Sequence, residues 1–238
     1  MKTKFLYVVI STIDDVYFEQ VWVSAWSLKK YNSSAAITIL TDCETLNTIN
    51  NTLRKNALSL FDEIVEHKFE HGVSNKVRSR WLKTNMRNLV KGDFLFLDSD
   101  TLVQDSLSEI DNFKCNIGMV LDLNRKLTND RHSSFIKKRH IEVFGVEYNP
   151  NVDYYNSGVI YAKDNSENRE FFNQWFENWK FSTEKNGLIL DQPSLAKTNI
   201  DLGGVIESIG GEYNCQILSS IEYIYSAKIF HFFNVVKK

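Results

Sequence analysis

The stretch Phe94-Leu-Phe-Leu-Asp-Ser-Asp-Thr-Leu-Val103 decides how this chain is read. An apolar run of this length, Phe94–Leu97, reads as a buried strand. Asp98 and Asp100 then stand where that strand leaves the core, the position at which open α/β sheets bind ligands. Two carboxylates one residue apart repel each other unless a cation or hydrogen-bond donors neutralise them. A divalent ion with oxygen ligands, Mg2+ or Mn2+, meets that need most simply.

The sequence before the stretch alternates strand and helix. Phe5–Ser11 is predicted as a strand and Val16–Tyr31 as a helix with Val21, Ala25 and Leu28 on one face. Ala36–Leu40 is a second strand, Thr45–Ser59 a second helix and Glu63–Phe69 a third strand. A helix from about Asn75 to Val90, ended by Gly92, delivers the chain to Phe94. Repeated βα units imply a mainly parallel central sheet flanked by helices, a Rossmann-like α/β fold. After Val103 the pattern is less regular. Ile117–Leu123 and Gly158–Ala162 read as strands on either side of a polar, basic segment. Glu212–Leu218 and Ala227–Phe233 read as closing strands. Asn165–Lys180 reads as a helix, and its stripe Phe171, Phe172, Trp175, Phe176 and Trp179 suits core packing better than a sugar-stacking platform.

At 238 residues, with two prolines, ten glycines and no low-complexity linker, the chain is expected to form one domain, residues 1–238. Residues 1–103, with the βα repeats, would form its first half and residues 104–238 its second. A formal net charge of −2 argues against a dedicated nucleic-acid binder. Cys43, Cys115 and Cys215 are odd in number and form no CxxC or zinc spacing, which suits structural thiols in a reduced, cytoplasmic setting. The apolar run near Met1 is followed by Asp14 and Asp15 instead of a small-residue cleavage site, and reads as a strand. No run approaches the roughly 20 apolar residues of a membrane span.

An apolar strand followed by paired aspartates also resembles the nucleophile motif of haloacid-dehalogenase-type phosphatases, in which Asp98 would attack phosphorus and Asp100 act as general acid. Leu102 departs from that motif, and no later acidic pair supplies that family's magnesium site. A sugar nucleotidylyltransferase shares the sheet type, but its Gly-rich basic loop after the first strand is replaced here by Ile13-Asp14-Asp15. A non-catalytic sugar-nucleotide-binding or glycan-binding module is a third alternative.

Further segments favour another reading. Asp14-Asp-Val-Tyr17 follows the first strand, Tyr154-Tyr-Asn-Ser-Gly-Val-Ile160 enters a later one, and Leu190-Asp-Gln-Pro193 opens a helix. With the acidic pair, these segments resemble the family-8 glycosyltransferases and their relatives, in the family's motif order. The resemblance implies a GT-A fold and metal-dependent, retaining transfer of a hexose or N-acetylhexosamine from a UDP-sugar to an acceptor hydroxyl. The expected acceptor is a glycan or lipid-linked saccharide, in bacterial surface glycan synthesis at the inner face of the cell membrane.

The resemblance also assigns residues. Asp98 and Asp100 match the DxD that holds Mn2+ or Mg2+ on the nucleotide diphosphate, and Ser99 between them counts among the donor contacts. Asp14 matches an acidic residue that meets the uracil edge, and Tyr17 an aromatic that stacks on the base. Val16 stands where an Asn often meets the ribose. Arg80 matches a basic residue near the donor, with Arg78 its competitor and Lys83 about one turn further along the helix. Asn156 matches an Asn whose amide faces the donor sugar. Asp191 and Gln192 match the pair at the sugar, while Asp191 also suits the N-cap before Gln192-Pro193. Asp122 is a further candidate for a sugar contact. His231 matches a third metal ligand and Lys237 a diphosphate contact, in a pattern where Asn234 replaces a Gly; Asn tolerates left-handed backbone next best. The basic run Arg125–His140 reads as a solvated loop or helix face, with cover for the acceptor or contact with anionic lipid as the functional alternative.

Overall fold

Phe94–Leu97 is a strand of four buried residues at the centre of a seven-stranded sheet. The computed structural model describes residues 1–127, 131–149 and 151–233. The chain runs through β1 (Lys4–Val8), α1 (Tyr17–Tyr31), β2 (Ile37–Asp42), α2 (Cys43–Asn50), β3 (Glu63–His67), α3 (Asn75–Leu89) and β4 (Phe94–Leu97). It continues through β5 (Thr101–Val103), β6 (Ile117–Leu121), α4 (Arg131–Phe144), β7 (Tyr155–Ala162), α5 (Ser166–Asn186), α6 (Gln192–Asp201), β8 (Ile206–Ser208) and β9 (Ile229–His231).

The sheet order is β3-β2-β1-β4-β7-β6-β8, and β7 alone runs against its neighbours. Alternation along β4 serves two core layers. Leu95 and Leu97 join Phe5, Tyr7, Phe18 and Val21 on the α1 side. Phe94 and Phe96 pack on the other side with Leu82 and Met86 of α3 and Phe171, Phe172 and Trp175 of α5. The aromatic stripe of α5 is therefore core.

A separate antiparallel pair, β5 with β9, carries the end of the described chain back to the acidic stretch. Its register sets Thr101 opposite His231, and the Phe232 amide donates to the Asp100 carbonyl at 2.9 Å. A second irregularity shapes β7. Met119 of β6 pairs with Ile160, but the next residue, Val120, pairs with Asn156. Ser157, Gly158 and Val159 are thereby left without a β6 partner, a bulge of the kind that re-aims side chains beside active sites.

Several predicted elements change. The expected helix over Thr45–Ser59 ends at Asn50 and resumes as a 3-10 helix, Leu53–Leu60, because Thr52 breaks the run as a new cap that accepts from the Arg54 amide. Glu212–Leu218 is not a strand. A 3-10 helix, Gly211–Asn214, precedes a single bridge from Cys215 to Phe230; the Asn214 carbonyl accepts from the Asn124 side-chain amide, and the Gln216 side chain donates to the Leu121 carbonyl. The helix α5 extends to Asn186, where Gly187 takes a left-handed conformation (φ 63°) that only glycine adopts freely. The strand β8 has three residues and one buried apolar side chain, too short for a periodic signal. Within the basic segment α4 is a helix that buries Ser133, Ile136 and His140, so it is only partly solvated; residues 128–130 lie outside the described residues.

Candidate active site

The turn after β4 aims both aspartates to one side. The Asp98 amide donates to the Gly158 carbonyl at 2.8 Å, and the Thr101 hydroxyl donates back to the Asp98 carbonyl at 2.8 Å. His231 arrives through the β5–β9 register, with Nε2 3.2 Å from Asp100 Oδ1. One donor atom from each of Asp98, Asp100 and His231 lies within 4.8 Å of the other two. Two carboxylate oxygens and an imidazole nitrogen suit Mn2+ or Mg2+, so the residues fit a divalent ion. Gly158 makes the third ligand possible, since a Cβ there would lie 2.1 Å from His231 Cε1.

A second cluster flanks this one. Lys83, its side chain 3% exposed, places Nζ 3.0 and 3.1 Å from the Asp98 oxygens and 3.0 Å from Asp191 Oδ2. The Ser157 hydroxyl donates to Asp191 Oδ2 at 2.8 Å and accepts from Lys83 at 3.3 Å. Arg80 Nε lies 3.0 Å from Asp191 Oδ1, close in charge but unaligned for a hydrogen bond. Burial pushes the Asp191 carboxyl up, yet Lys83, Arg80 and Ser157 outweigh it and hold Asp191 well below the usual range. Asp191 in turn raises Arg80. Burial raises Asp98 despite Lys83, whereas the bond and charge of His231 bring Asp100 below its ordinary value against the effect of burial.

Two cavities meet at the acidic pair. The larger, about 940 Å3, lies between the ends of β1 and β4 and helices α1 and α3, and includes Asp15, Tyr17, Gln20, Arg80, Ser99 and Asp100. The smaller, about 500 Å3, is lined by Asp122, Asn156, Asp191, Gln192, His231 and the α4 residues His132, Phe135 and Arg139.

The family described as glycosyl transferase family 8 matches residues 8–237. The chain belongs to that family. It is a glycosyltransferase, and this membership replaces the phosphatase and nucleotidylyltransferase alternatives. Its fold is shared with solved glycosyltransferases of low identity. The galactosyltransferase LgtC, solved with donor and acceptor sugar analogs, is 14% identical, with 99% of this chain and 88% of that chain covered and a TM-score of 0.62. Mouse xyloside xylosyltransferase 1 is 12% identical over 97% of each chain, TM-score 0.62. The glycosyltransferase GlyE of Streptococcus pneumoniae is 16% identical over 99% of this chain and 56% of that one, TM-score 0.59. These neighbours place the glycosyltransferase in the GT-A fold. Comparison of the sequence with curated proteins returned no match.

Most of the expected positions come together in this glycosyltransferase. Asp98, Asp100, His231, Arg80, Lys83, Asp191, Gln192, Asn156 and Asp122 surround the smaller cavity, and Tyr17 and Ser99 line the larger one. Arg78 leaves the competition: it pairs with Asp42 and with Glu44 (2.7 Å), tying α3 to the end of β2. Asp14 is exposed and does not line the larger cavity. Asp15 does, but its oxygens are taken by Ser11, the Thr12 amide and the Tyr17 amide. Asp191 takes the N-cap position of α6, its carbonyl accepting from the Leu195 amide at 3.0 Å, but its carboxylate makes no cap bond, because the two cations and Ser157 claim both oxygens. Lys237 and Asn234 lie outside the described residues.

The aromatic stripe serves the site indirectly. The Trp175 indole donates to the Asp191 carbonyl at 3.0 Å and that of Trp179 to the Ile189 carbonyl at 3.1 Å, so core side chains hold the loop that presents Asp191. Sequence reasoning missed Ser157, Asn214 and Gln216. It also missed the backbone after Asp122, where Leu123 (φ 56°) and Asn124 (φ 55°) are both left-handed. Strain of this kind collects at functional sites. Here the Leu123 amide donates to Gln216 Oε1 at 2.7 Å, and Gln216 donates to the Leu121 carbonyl. A leucine carries no sequence signal for such a turn.

Proposed function

We propose that this glycosyltransferase moves a hexose or N-acetylhexosamine from a UDP-sugar to a hydroxyl of a glycan or lipid-linked saccharide, with retention at the anomeric carbon. The observation that carries this reading is the convergence of Asp98, Asp100 and His231 at the meeting of two cavities, beside a buried carboxylate gripped by two cations. The nucleotide would occupy the larger cavity, in the half formed by residues 1–103, with Tyr17 at the base and Ser99 and Arg80 near the phosphates. The sugar would enter the smaller cavity, where residues 104–238 supply Asn156, Asp191 and Gln192. Arg139, its guanidinium 4.5 Å over the Phe135 ring, lines the same cavity on the acceptor side. No described helix is long and apolar enough to cross a membrane; approach to a lipid-linked acceptor at the inner face of the membrane, in surface glycan synthesis, is part of the proposal.

Asp98, Asp100 and His231 would hold Mn2+ or Mg2+, which supplies Lewis-acid stabilisation of the charge that builds on the departing diphosphate. Arg80 and Lys237 would add positive charge at the same leaving group. As the bond from the anomeric carbon to the diphosphate oxygen breaks, the acceptor oxygen bonds to that carbon and its proton passes to the departing phosphate oxygen. Attack and departure share one face of the sugar, so configuration is kept. Asp191 is a poor covalent nucleophile because both of its oxygens face cations, and Gln192 is a neutral amide. The geometry therefore favours front-face attack over double displacement. Asp191, fixed as an anion, is suited to bind sugar hydroxyls and to favour positive charge at the anomeric carbon.

UDP release from a panel of UDP-sugars with Mn2+, with and without EDTA, tests the reading. Turnover of at least one donor, lost with EDTA and lost in Asp100→Ala together with Mn2+-dependent UDP binding, is expected. Turnover of no donor, or undiminished UDP binding by Asp100→Ala, overturns it. UDP binding without turnover would identify a non-catalytic binding module.

A further inference from the structure

Behind His231 runs a chain of buried amides whose direction is set by a backbone group. His231 Nδ1 lies 3.0 Å from Asn214 Oδ1, and Asn214 Nδ2 donates to Asn156 Oδ1 at 3.0 Å. Asn156 Nδ2 donates to Asp122 Oδ1 at 3.1 Å, and the Gly158 N–H donates to Asn156 Oδ1 at 2.9 Å. All four side chains are buried, and Asn214 is 0% exposed. Side-chain amides can be turned over, but a backbone N–H only donates and a carboxylate only accepts. Turning Asn156 would set its NH2 against the Gly158 N–H and its oxygen against Asp122. Turning Asn214 alone would set two oxygens against each other. Each amide therefore has one orientation, and the last oxygen in the chain, Asn214 Oδ1, needs a donor.

We propose that Asn214 is a positioning residue for the metal site. It keeps a proton on Nδ1 of His231, so that Nε2, the nitrogen facing Asp100, is the one offered to the cation. This rests on the divalent-ion site of the proposed function. Neutral imidazole has two tautomers, and which nitrogen is metallated follows from the hydrogen bond made by the other. The Asn156 side chain, which also lines the smaller cavity, bonds Asp122, Asn214 and the Gly158 N–H.

The test reads protonation and metal affinity separately from activity. With 15N-histidine labelling, metal-free enzyme at neutral pH should show a protonated Nδ1 for His231, assigned by its loss in His231→Gln among the five histidines. An unprotonated Nδ1 overturns the proposal whatever the metal does. Asn214→Leu, apolar and similar in size, should weaken Mn2+ binding, followed as free Mn2+ by electron paramagnetic resonance, by about 10–100-fold. Asn214→Asp keeps an acceptor for Nδ1–H, and protonation of its second, buried oxygen restores the donor to Asn156 Oδ1, so Mn2+ affinity should stay within about threefold of the parent, well short of that range. A folded Asn214→Leu with parental affinity overturns the proposal, as does an Asn214→Asp as weak as Asn214→Leu. Should Asn214→Leu fail to fold, the Nδ1 signal and Asn214→Asp decide. An enzyme that binds no Mn2+ refutes the metal site of the proposed function, while the Nδ1 signal still reports the orientation of the amides.

Discussion

The wall of the site formed by Asp98, Lys83, Arg80 and Asp191 is held by charge, whereas the wall formed by His231, Asn214, Asn156 and Asp122 is held largely by neutral amides. Charge acts without a preferred direction and over several ångströms, which suits a place where a diphosphate and a cation must come and go. Amides act through direction, which suits a ligand whose orientation must not change. Loss of one charged partner strands another in a buried setting, while loss of one amide breaks a single link. The two walls therefore differ in how they fail, and each difference can be measured.

The largest effect is expected at Lys83. Lys83→Met removes the ammonium that both Asp98 and Asp191 face at about 3 Å and puts an apolar chain of similar length in its place. Breaking a buried pair from one side costs about 3–5 kcal/mol, because the remaining charges stay desolvated. Chemical denaturation should show that loss, and transfer should fall with it. In the Lys83→Met background, Asp191→Asn should restore part of the stability and none of the transfer. A loss below about 1 kcal/mol, the range of an exposed pair, would mean that charge does not hold this wall.

The acidic pair was legible from the residues alone, and most of both walls was not. Asp98 and Asp100 announced themselves because two carboxylates at the end of an apolar strand demand a partner. Arg80, Lys83, Asp191, His231 and Asn156 were found only by resemblance. Asn214 lies in a 3-10 turn read in advance as a strand, and its role depends on a register, β5 with β9, that joins positions far apart in sequence. Gly158 was visible as a letter, but the ring of His231 against its Cα was not. Topology was legible through Leu97 because βα alternation is periodic. Beyond it, three-residue strands and a bulge leave no period to read.

A pH experiment separates the walls by the state each requires. The neutral wall continues into α4, where burial and nearby Lys197 push the His140 imidazole down to about 4. In the unfolded chain an imidazole titrates near 6.5, so between about pH 6.5 and 4 the unfolded state holds the extra proton. Stability from the neutral ring is complete above about pH 6.5 and is lost as pH falls toward 4, on the order of 3 kcal/mol. Asp191, held well below the ordinary carboxylate range, keeps its contribution through that window and yields only at lower pH. Melting temperature against pH should fall between 6.5 and 4, and His140→Phe should flatten the fall. An unchanged slope would show that the softening at mild acidity does not come from the buried ring.

The smallest effect is expected where the walls touch. Asn156 and Ser157 are adjacent on β7 and both line the smaller cavity, but they bond different partners. Asn156 joins the amides, while Ser157 donates to Asp191 and accepts from Lys83. Ser157→Ala removes a hydroxyl bonded to a carboxylate and an ammonium and leaves the Lys83–Asp191 contact at 3.0 Å in place. A hydrogen bond to a charged group contributes about 1.5–3 kcal/mol, so stability should fall by about that much and transfer by no more than about a hundredfold. Mn2+ affinity should not move, because Ser157 bonds Asp191 and Lys83 and not the amides that orient His231. If Ser157→Ala were as damaging as Lys83→Met, the hydroxyl and not the ammonium would be organising Asp191, and the division into a wall held by charge and a wall held by direction would fail at the residue where it is drawn.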